Sequence, residues 1–158
     1  MKRMFSGAVI VALFVGAAGV ALAGGTEADF SFKIARRDVA VDPDGIWKAS
    51  DFSGGRASLY EYELSAPDGV LLVSQIWNGD CAAATCPTRL VRLEPGGRRV
   101  LLVDDMMRQV IPPNDPRFSS LTKTATHAAF AQHPFRLSAD RATLINGDFR
   151  FSIQRGTR

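Results

Sequence analysis

The two cysteines, Cys81 and Cys86, lie in the stretch NGDCAAATCPTRL and are separated by four residues. A thioredoxin-like redox centre needs Cys-x-x-Cys at a helix N-terminus, whereas this spacing falls between two predicted strands. A tetrahedral zinc site needs four ligands, and the chain has only two histidines, both far from this stretch. The pattern therefore favours a Cys81–Cys86 disulfide across a hairpin loop, which contributes about 2 kcal/mol to stability in the chain-entropy model.

The other residues that could act in catalysis or bind a metal do not form a recognisable catalytic pattern. His127 and His133 are six residues apart, so on a helix they would not share a face, and surface or packing roles are favoured. Asp104 and Asp105 are adjacent and would point to opposite sides of a strand. The stretch DPDG at 42–45 matches only a fragment of a calcium loop and lacks its closing glutamate, so we interpret it as a turn. We predict no catalytic residue, no metal ligand and no cofactor, and do not expect an enzyme.

The elements that must position these residues are mainly strands. Residues 30–35 and 57–64 alternate apolar and polar side chains, as a half-buried strand does. Residues 70–77 and 99–104 are almost continuously apolar, which is typical of strands covered on both faces. With residues 88–94 between them, short turns predict an antiparallel meander. Asn-Gly at 146–147, between two apolar runs, predicts a hairpin near the C-terminus.

One region resists a strand interpretation. Residues 112–135 begin with a proline-rich loop, after which Ser119 or Ser120 could cap a short helix that Pro134 would end. The predicted fold is therefore mainly β. It is a single antiparallel β domain, either a sandwich or a curled meander sheet, with one short α-helix.

The first 23 residues indicate export. Lys2 and Arg3 precede an apolar run, and Ala21 and Ala23 occupy the −3 and −1 positions of an A-x-A cleavage site. The alternative is a membrane anchor, because no charged residue occurs from position 4 to 25, but the second half of this stretch is Gly and Ala rather than Leu and Ile. We predict a secretory signal peptide at 1–23, a β-rich domain at 24–158, no transmembrane span after cleavage, and a periplasmic or secreted location.

Removing the signal changes the charge balance. Lys2 and Arg3 leave with it, so 17 of the 19 basic residues remain against all 16 acidic ones. The remaining chain is nearly neutral, whereas a nucleic-acid-binding protein typically has a clustered basic face, so we expect no nucleic-acid partner.

The cysteine stretch carries a resemblance. Residues 70–94, with Gly79-Asp80-Cys81 followed by Cys86-Pro87-Thr88, resemble the G-x-C-x4-C-P-T hairpin of small, mostly uncharacterised exported proteins of Gram-negative bacteria. Those proteins often have a longer aspartate-rich turn before the strand, whereas this chain has SAPDG. The resemblance implies a periplasmic, β-rich protein and no activity.

Three function classes follow. The first is a periplasmic binding or inhibitory module, guarding against an envelope-directed hydrolase, that contacts a protein or envelope component through the stapled hairpin tip and the nearby Trp77, Asp80 and Arg89. The second is a structural or accessory envelope protein, and the third is a hydrolase whose residues the sequence does not reveal. The Trp77 ring is placed at the end of a buried strand, while Arg89 is expected to be solvated, so that Arg89→Ala would leave the melting temperature nearly unchanged.

Overall fold

The computed structural model describes residues 25–52, 54–82, 84–111 and 135–153. The predicted signal peptide, the predicted helix within 112–134, and both histidines lie outside these residues. In the described part, one 3-10 turn is the only helical element, and no helix is long and apolar enough to cross a membrane. The strands are β1 (Ala28–Asp29), β2 (Ser31–Val39), β3 (Ala57–Ala66), β4 (Gly69–Trp77), β5 (Thr85–Leu93), β6 (Arg99–Arg108), β7 (Phe135–Leu137), β8 (Thr143–Asn146) and β9 (Phe149–Ser152), with the 3-10 turn at Ala49–Asp51.

The strands form two antiparallel sheets. The larger has the order β2-β3-β4-β5-β6, and the smaller has the order β1-β7-β8-β9. The predicted meander is confirmed as β4, β5 and β6, and the Asn-Gly hairpin is confirmed as β8 and β9, where Asn146 pairs with Phe149. The mainly β prediction is therefore confirmed, and the arrangement is sandwich-like. The residues of the predicted short α-helix are not among those described, and Phe135, at the end of that region, begins β7.

The main core lies between the two sheets. In β3 the alternation places Tyr60 and Tyr62 on the face toward the small sheet, where the Tyr62 ring lies 5.3 Å from that of Phe135. Leu137 and Leu144 of the small sheet also belong to this core. This burial of apolar area from both sheets is the main force that holds them together.

The opposite face of the large sheet is covered by irregular chain rather than by strands. Residues 40–56, which we call the covering loop, bring Ile46, Trp47 and Phe52 onto a second apolar cluster. The sheet contributes Leu59, Leu72, Ile76 and Val91 to it. Strand β4 is thus buried on both faces, which explains its nearly continuous apolar sequence.

Candidate functional site

The predicted disulfide is present between Cys81 and Cys86, whose Cα atoms are 4.2 Å apart. Ala82 and Thr85 exchange two backbone hydrogen bonds of 2.9 and 2.8 Å inside the loop that it closes. The turn accommodates Ala84 at φ 73°. The prediction of a staple across a tight hairpin is confirmed.

The tip, defined as residues 78–85, is also tied to the body of the protein on two sides. The Asn78 side-chain amide donates to the carbonyl of Asp51 in the covering loop at 2.7 Å. On the other side, the Gln109 backbone N–H donates to the carbonyl of Ala84 at 2.9 Å, and its side-chain amide donates to Sγ of Cys86 at 3.0 Å. The tip is therefore fixed by the disulfide and by hydrogen bonds to two other segments.

The three residues proposed for partner contact occupy different environments. Asp80 is exposed on the tip, where its backbone N–H donates to Oδ1 of Asn78 at 3.0 Å. Trp77 is half-buried. Its ring centroid lies 4.5 Å from that of Tyr60, and its indole N–H donates to Oε1 of Gln75 at 2.7 Å. Of the three, Asp80 offers the most accessible side chain.

The prediction that Arg89 is solvated is wrong. Only 17% of its side chain is exposed, because Arg89 lies on the face of β5 that the covering loop covers. Its guanidinium donates to the carbonyl of Ile46 at 2.9 Å and to Oδ2 of Asp51 at 2.9 Å. It also lies 4.2 Å from the centroid of the Trp47 ring. Arg89 therefore anchors the covering loop and does not belong to the tip.

The covering loop begins with the DPDG turn, which is confirmed. Oδ1 of Asp42 accepts the backbone N–H of Asp44 at 2.9 Å, and Oδ2 accepts those of Ile46 and Trp47 at 2.6 and 2.9 Å. Gly45 closes the turn at φ 66°, a conformation that glycine adopts without steric penalty. The Trp47 indole N–H then donates to Oγ of Ser74 on the sheet at 2.8 Å. Asp42 thus orients the loop that carries Trp47 onto the sheet.

A buried glutamate, Glu61, lies next to this turn and was not predicted from the sequence. Glu61 in β3 has a fully buried side chain and lies on the face under the covering loop. Arg36 of β2 bridges two acids there, with Nη1 2.8 Å from Oε1 of Glu61 and Nη2 2.7 Å from Oδ2 of Asp44. Both contacts are ion pairs whose angles do not suit a hydrogen bond. The other carboxylate oxygen of Glu61, Oε2, has no hydrogen-bond partner. Burial raises the pKa of Glu61, and the Arg36 guanidinium opposes this only in part.

One carboxylate oxygen from each of Asp42, Asp44 and Glu61 lies within 4.8 Å of the other two. Oxygen donors at such separations suit a hard cation. A signal for this cluster was present in the sequence, since Asp-x-Asp-Gly was recognised as a fragment of a calcium loop. The glutamate that completes the set comes from a neighbouring strand rather than from the same loop.

A cleft of about 300 Å³ lies beside the covering loop. Its lining includes Ile46, Lys48, Arg89, Val91, Arg99 and Leu101. Within the described part of the chain, Lys48 and Arg99 form no ion pair with a carboxylate. The cleft therefore combines apolar side chains with these two cations, and its lining also contains Asp104, an acid that pairs with Arg89.

No protein-family model, curated protein or solved structure matches this chain.

Proposed function

We propose that this protein is an exported binding module of the inhibitory kind, which inserts the stapled tip into a concave site of a partner protein in the cell envelope. The observation that carries the proposal is the attachment of the tip. It is closed by a disulfide and bonded both to the covering loop and to Gln109, yet it leaves Asp80 exposed. A segment held in this way loses little conformational entropy on binding.

Asp80 is the residue best placed to recognise the partner. Its carboxylate is exposed on the fixed turn and accepts a hydrogen bond from the Asn78 side-chain amide at 3.1 Å, whereas Trp77 packs on Tyr60 and Arg89 is engaged by the covering loop. The expected complement on the partner is a basic group at the bottom of a cleft. Inhibition of an envelope-directed hydrolase fits this geometry, because an inserted tip excludes substrate from the cleft it fills.

The predicted signal peptide and the resemblance of residues 70–94 to exported proteins support a periplasmic or secreted location. A structural or accessory envelope role is the alternative, and a hydrolase activity of the protein itself is the least favoured. These alternatives differ from the proposal in one respect that can be measured, since neither needs an exposed acid at the tip.

The test begins with capture of partners from envelope extract on immobilised protein. Binding of the captured partner, once purified, is then measured with Asp80→Ala and with the matched control Asp29→Ala, an exposed acid in β1 of the other sheet. We expect Asp80→Ala to weaken binding by about tenfold, or about 1.4 kcal/mol, and the control to leave it unchanged. If the partner is a hydrolase, the wild-type protein should inhibit it and Asp80→Ala should inhibit it less.

Equal losses from both substitutions would indicate diffuse charge attraction and contradict the proposal. The absence of a partner that distinguishes the two variants would favour the structural role instead.

The cleft beside the covering loop favours a second candidate, binding of a small amphipathic anion such as a medium-chain carboxylate. Lys48 and Arg99 complement the carboxylate, and Leu101, which is 51% exposed, gains an apolar contact. Calorimetric titration with octanoate would test it. Arg99→Ala should abolish the heat of binding, while Arg98→Ala, a neighbouring exposed arginine, should preserve it.

A further inference from the structure

The three acids beside the DPDG turn carry more negative charge than their surroundings neutralise. Asp42 is 8% exposed and Glu61 is fully buried, and Arg36 is the cation that contacts the cluster. With all three carboxylates ionised, one guanidinium leaves a net formal charge of about −2. Uncompensated charge away from water is strongly unfavourable unless a proton or a cation neutralises it.

An independent observation points to a ligand rather than to a closed salt bridge. Oε2 of Glu61 is buried and accepts no hydrogen bond, although the side chain is directed into the cluster. The two lone pairs of that atom are thus available. Oδ1 of Asp42 accepts one hydrogen bond, from Asp44, so it keeps one lone pair for a further contact.

The three oxygens are close enough together to bind one cation, since all of them lie within 4.8 Å of one another. Carboxylate oxygens bind both Ca²⁺ and Mg²⁺, but Ca²⁺ accepts an irregular set of six to eight oxygens, whereas Mg²⁺ requires near-octahedral geometry and dehydrates reluctantly. Asp42 is fixed by three backbone N–H groups, and Glu61 by strand β3, which is paired on both sides, so these ligands cannot easily rearrange into an octahedron.

We propose that Asp42, Asp44 and Glu61 form a Ca²⁺ site and that the Arg36 guanidinium is the cation that competes with Ca²⁺ for it. Arg36 lies on the edge strand β2 and its side chain is 21% exposed, so the guanidinium can move to solvent when the ion enters. Asp44, at 34% exposure, is the ligand on the solvent side and gives the ion its entry path. Water completes the coordination sphere of six to eight oxygens that Ca²⁺ takes.

Terbium luminescence tests the site directly, because Tb³⁺ replaces Ca²⁺ at oxygen ligands and emits when a nearby indole absorbs. Trp47 is such an indole, since its backbone N–H bonds to Asp42. We expect saturable emission from the purified protein, displaced by Ca²⁺ with a midpoint of about 10⁻⁴–10⁻³ M and by Mg²⁺ only at concentrations about tenfold higher or more. Trp47→Phe should lower the emission while Ca²⁺ binding, measured by calorimetry, persists.

The variants separate a calcium site from a structural salt bridge. Glu61→Gln and Asp44→Asn should weaken Ca²⁺ binding by about tenfold or more, because ligand charge sets the affinity of such sites. Arg36→Gln should strengthen binding by about tenfold, because it removes the competing cation. The control is Asp38→Asn, which should leave Ca²⁺ binding unchanged. Asp38 is an exposed acid that lies in β2 like Arg36 and pairs with Arg56.

A second readout does not depend on emission. Ca²⁺ in tenfold excess over its dissociation constant for the wild-type protein should raise the melting temperature of the wild type by about 3–6 °C and that of Asp44→Asn by no more than about 2 °C. Asp44 is partly exposed, so this variant should fold even if Glu61→Gln does not. Terbium emission that Ca²⁺ fails to displace, or that Glu61→Gln, Asp44→Asn and Arg36→Gln all leave unaltered, would overturn the proposal. Weaker binding in Arg36→Gln would overturn the competing role of Arg36.

Discussion

Replacing Arg89 by alanine should destabilise the protein clearly, although the sequence placed this residue on the surface. The guanidinium donates to the carbonyl of Ile46 and to Asp51, and it stacks on Trp47 at 4.2 Å. These contacts hold two parts of the covering loop against β5. Their loss releases the loop from the sheet and exposes the second apolar cluster.

The magnitude follows from the individual contacts. A hydrogen bond from a charged donor contributes about 1.5–3 kcal/mol, a partly exposed ion pair about 0.2–1 kcal/mol, and a cation–π contact about 0.5–2 kcal/mol. The pair with Asp104 adds little, since that carboxylate is 46% exposed. Contributions of one side chain are not additive, and the freed Asp51 carboxylate regains water, so we expect a loss of about 2–3 kcal/mol.

Urea denaturation followed by tryptophan fluorescence measures this loss, with the midpoint compared at constant slope. The matched control is Arg98→Ala, whose side chain is 73% exposed and pairs with Glu94 in a turn, and which should change stability by less than about 0.5 kcal/mol. Arg89→Lys should fall between the two, because lysine keeps the charge but not the planar fork. An Arg89→Ala midpoint equal to that of Arg98→Ala would refute the anchoring role.

Further outcomes follow from the disulfide, the buried glutamate and the N-terminus. Joint Cys81→Ser and Cys86→Ser substitution should lower the free energy of unfolding by about 2 kcal/mol in urea and leave the circular dichroism of the fold intact, because the closed loop is short. In the presence of chelator, burial raises the folded-state pKa of Glu61 above its ordinary value, so the wild-type protein binds more protons folded than unfolded and loses stability as pH rises through that range. Urea midpoints of Glu61→Gln should therefore improve relative to wild type as the pH is raised from below the ordinary pKa of glutamate to neutrality, and a difference that does not change with pH would contradict this. Intact-mass measurement of exported protein should show a chain that begins at Gly24, whereas retention of residues 1–23 would indicate an anchor.

The parts of the fold that the sequence predicted are those with local signals. Alternation and turn residues located the meander and the Asn-Gly hairpin, because both depend on neighbours within a few positions. The Cys81–Cys86 spacing likewise predicted the staple, since chain geometry limits what a four-residue loop can do.

The start of β5 was placed three residues too late. The predicted strand, 88–94, already contained Arg89, so the burial of Arg89 follows from the covering loop and not from this error. Pro87 lacks an N–H and cannot donate to a strand ladder, so a central strand is not expected to include it. The pairing with β4 ends at Thr88, however, so at Pro87 the strand is paired only with β6 and needs no donor on its other side. A proline that would break a central strand is therefore accommodated where the strand has a single neighbour.

The covering loop explains why the sequence did not predict the burial of Glu61. Glu61 and Glu63 share one face of β3, and periodicity treats them alike, yet Glu61 is fully buried and Glu63 is exposed. The difference arises because the loop reaches over Glu61 only. Asp42 shapes the loop through local hydrogen bonds, and Trp47 attaches it to Ser74, which is far away in the sequence. Periodicity describes a sheet packed on a sheet, but it carries no information on where irregular chain covers the opposite face. A buried acid on such a face is tolerated only if a counter-charge offsets its desolvation. Arg36, at the edge of the sheet, supplies one positive charge, which is less than the carboxylates of Asp42, Asp44 and Glu61 together require.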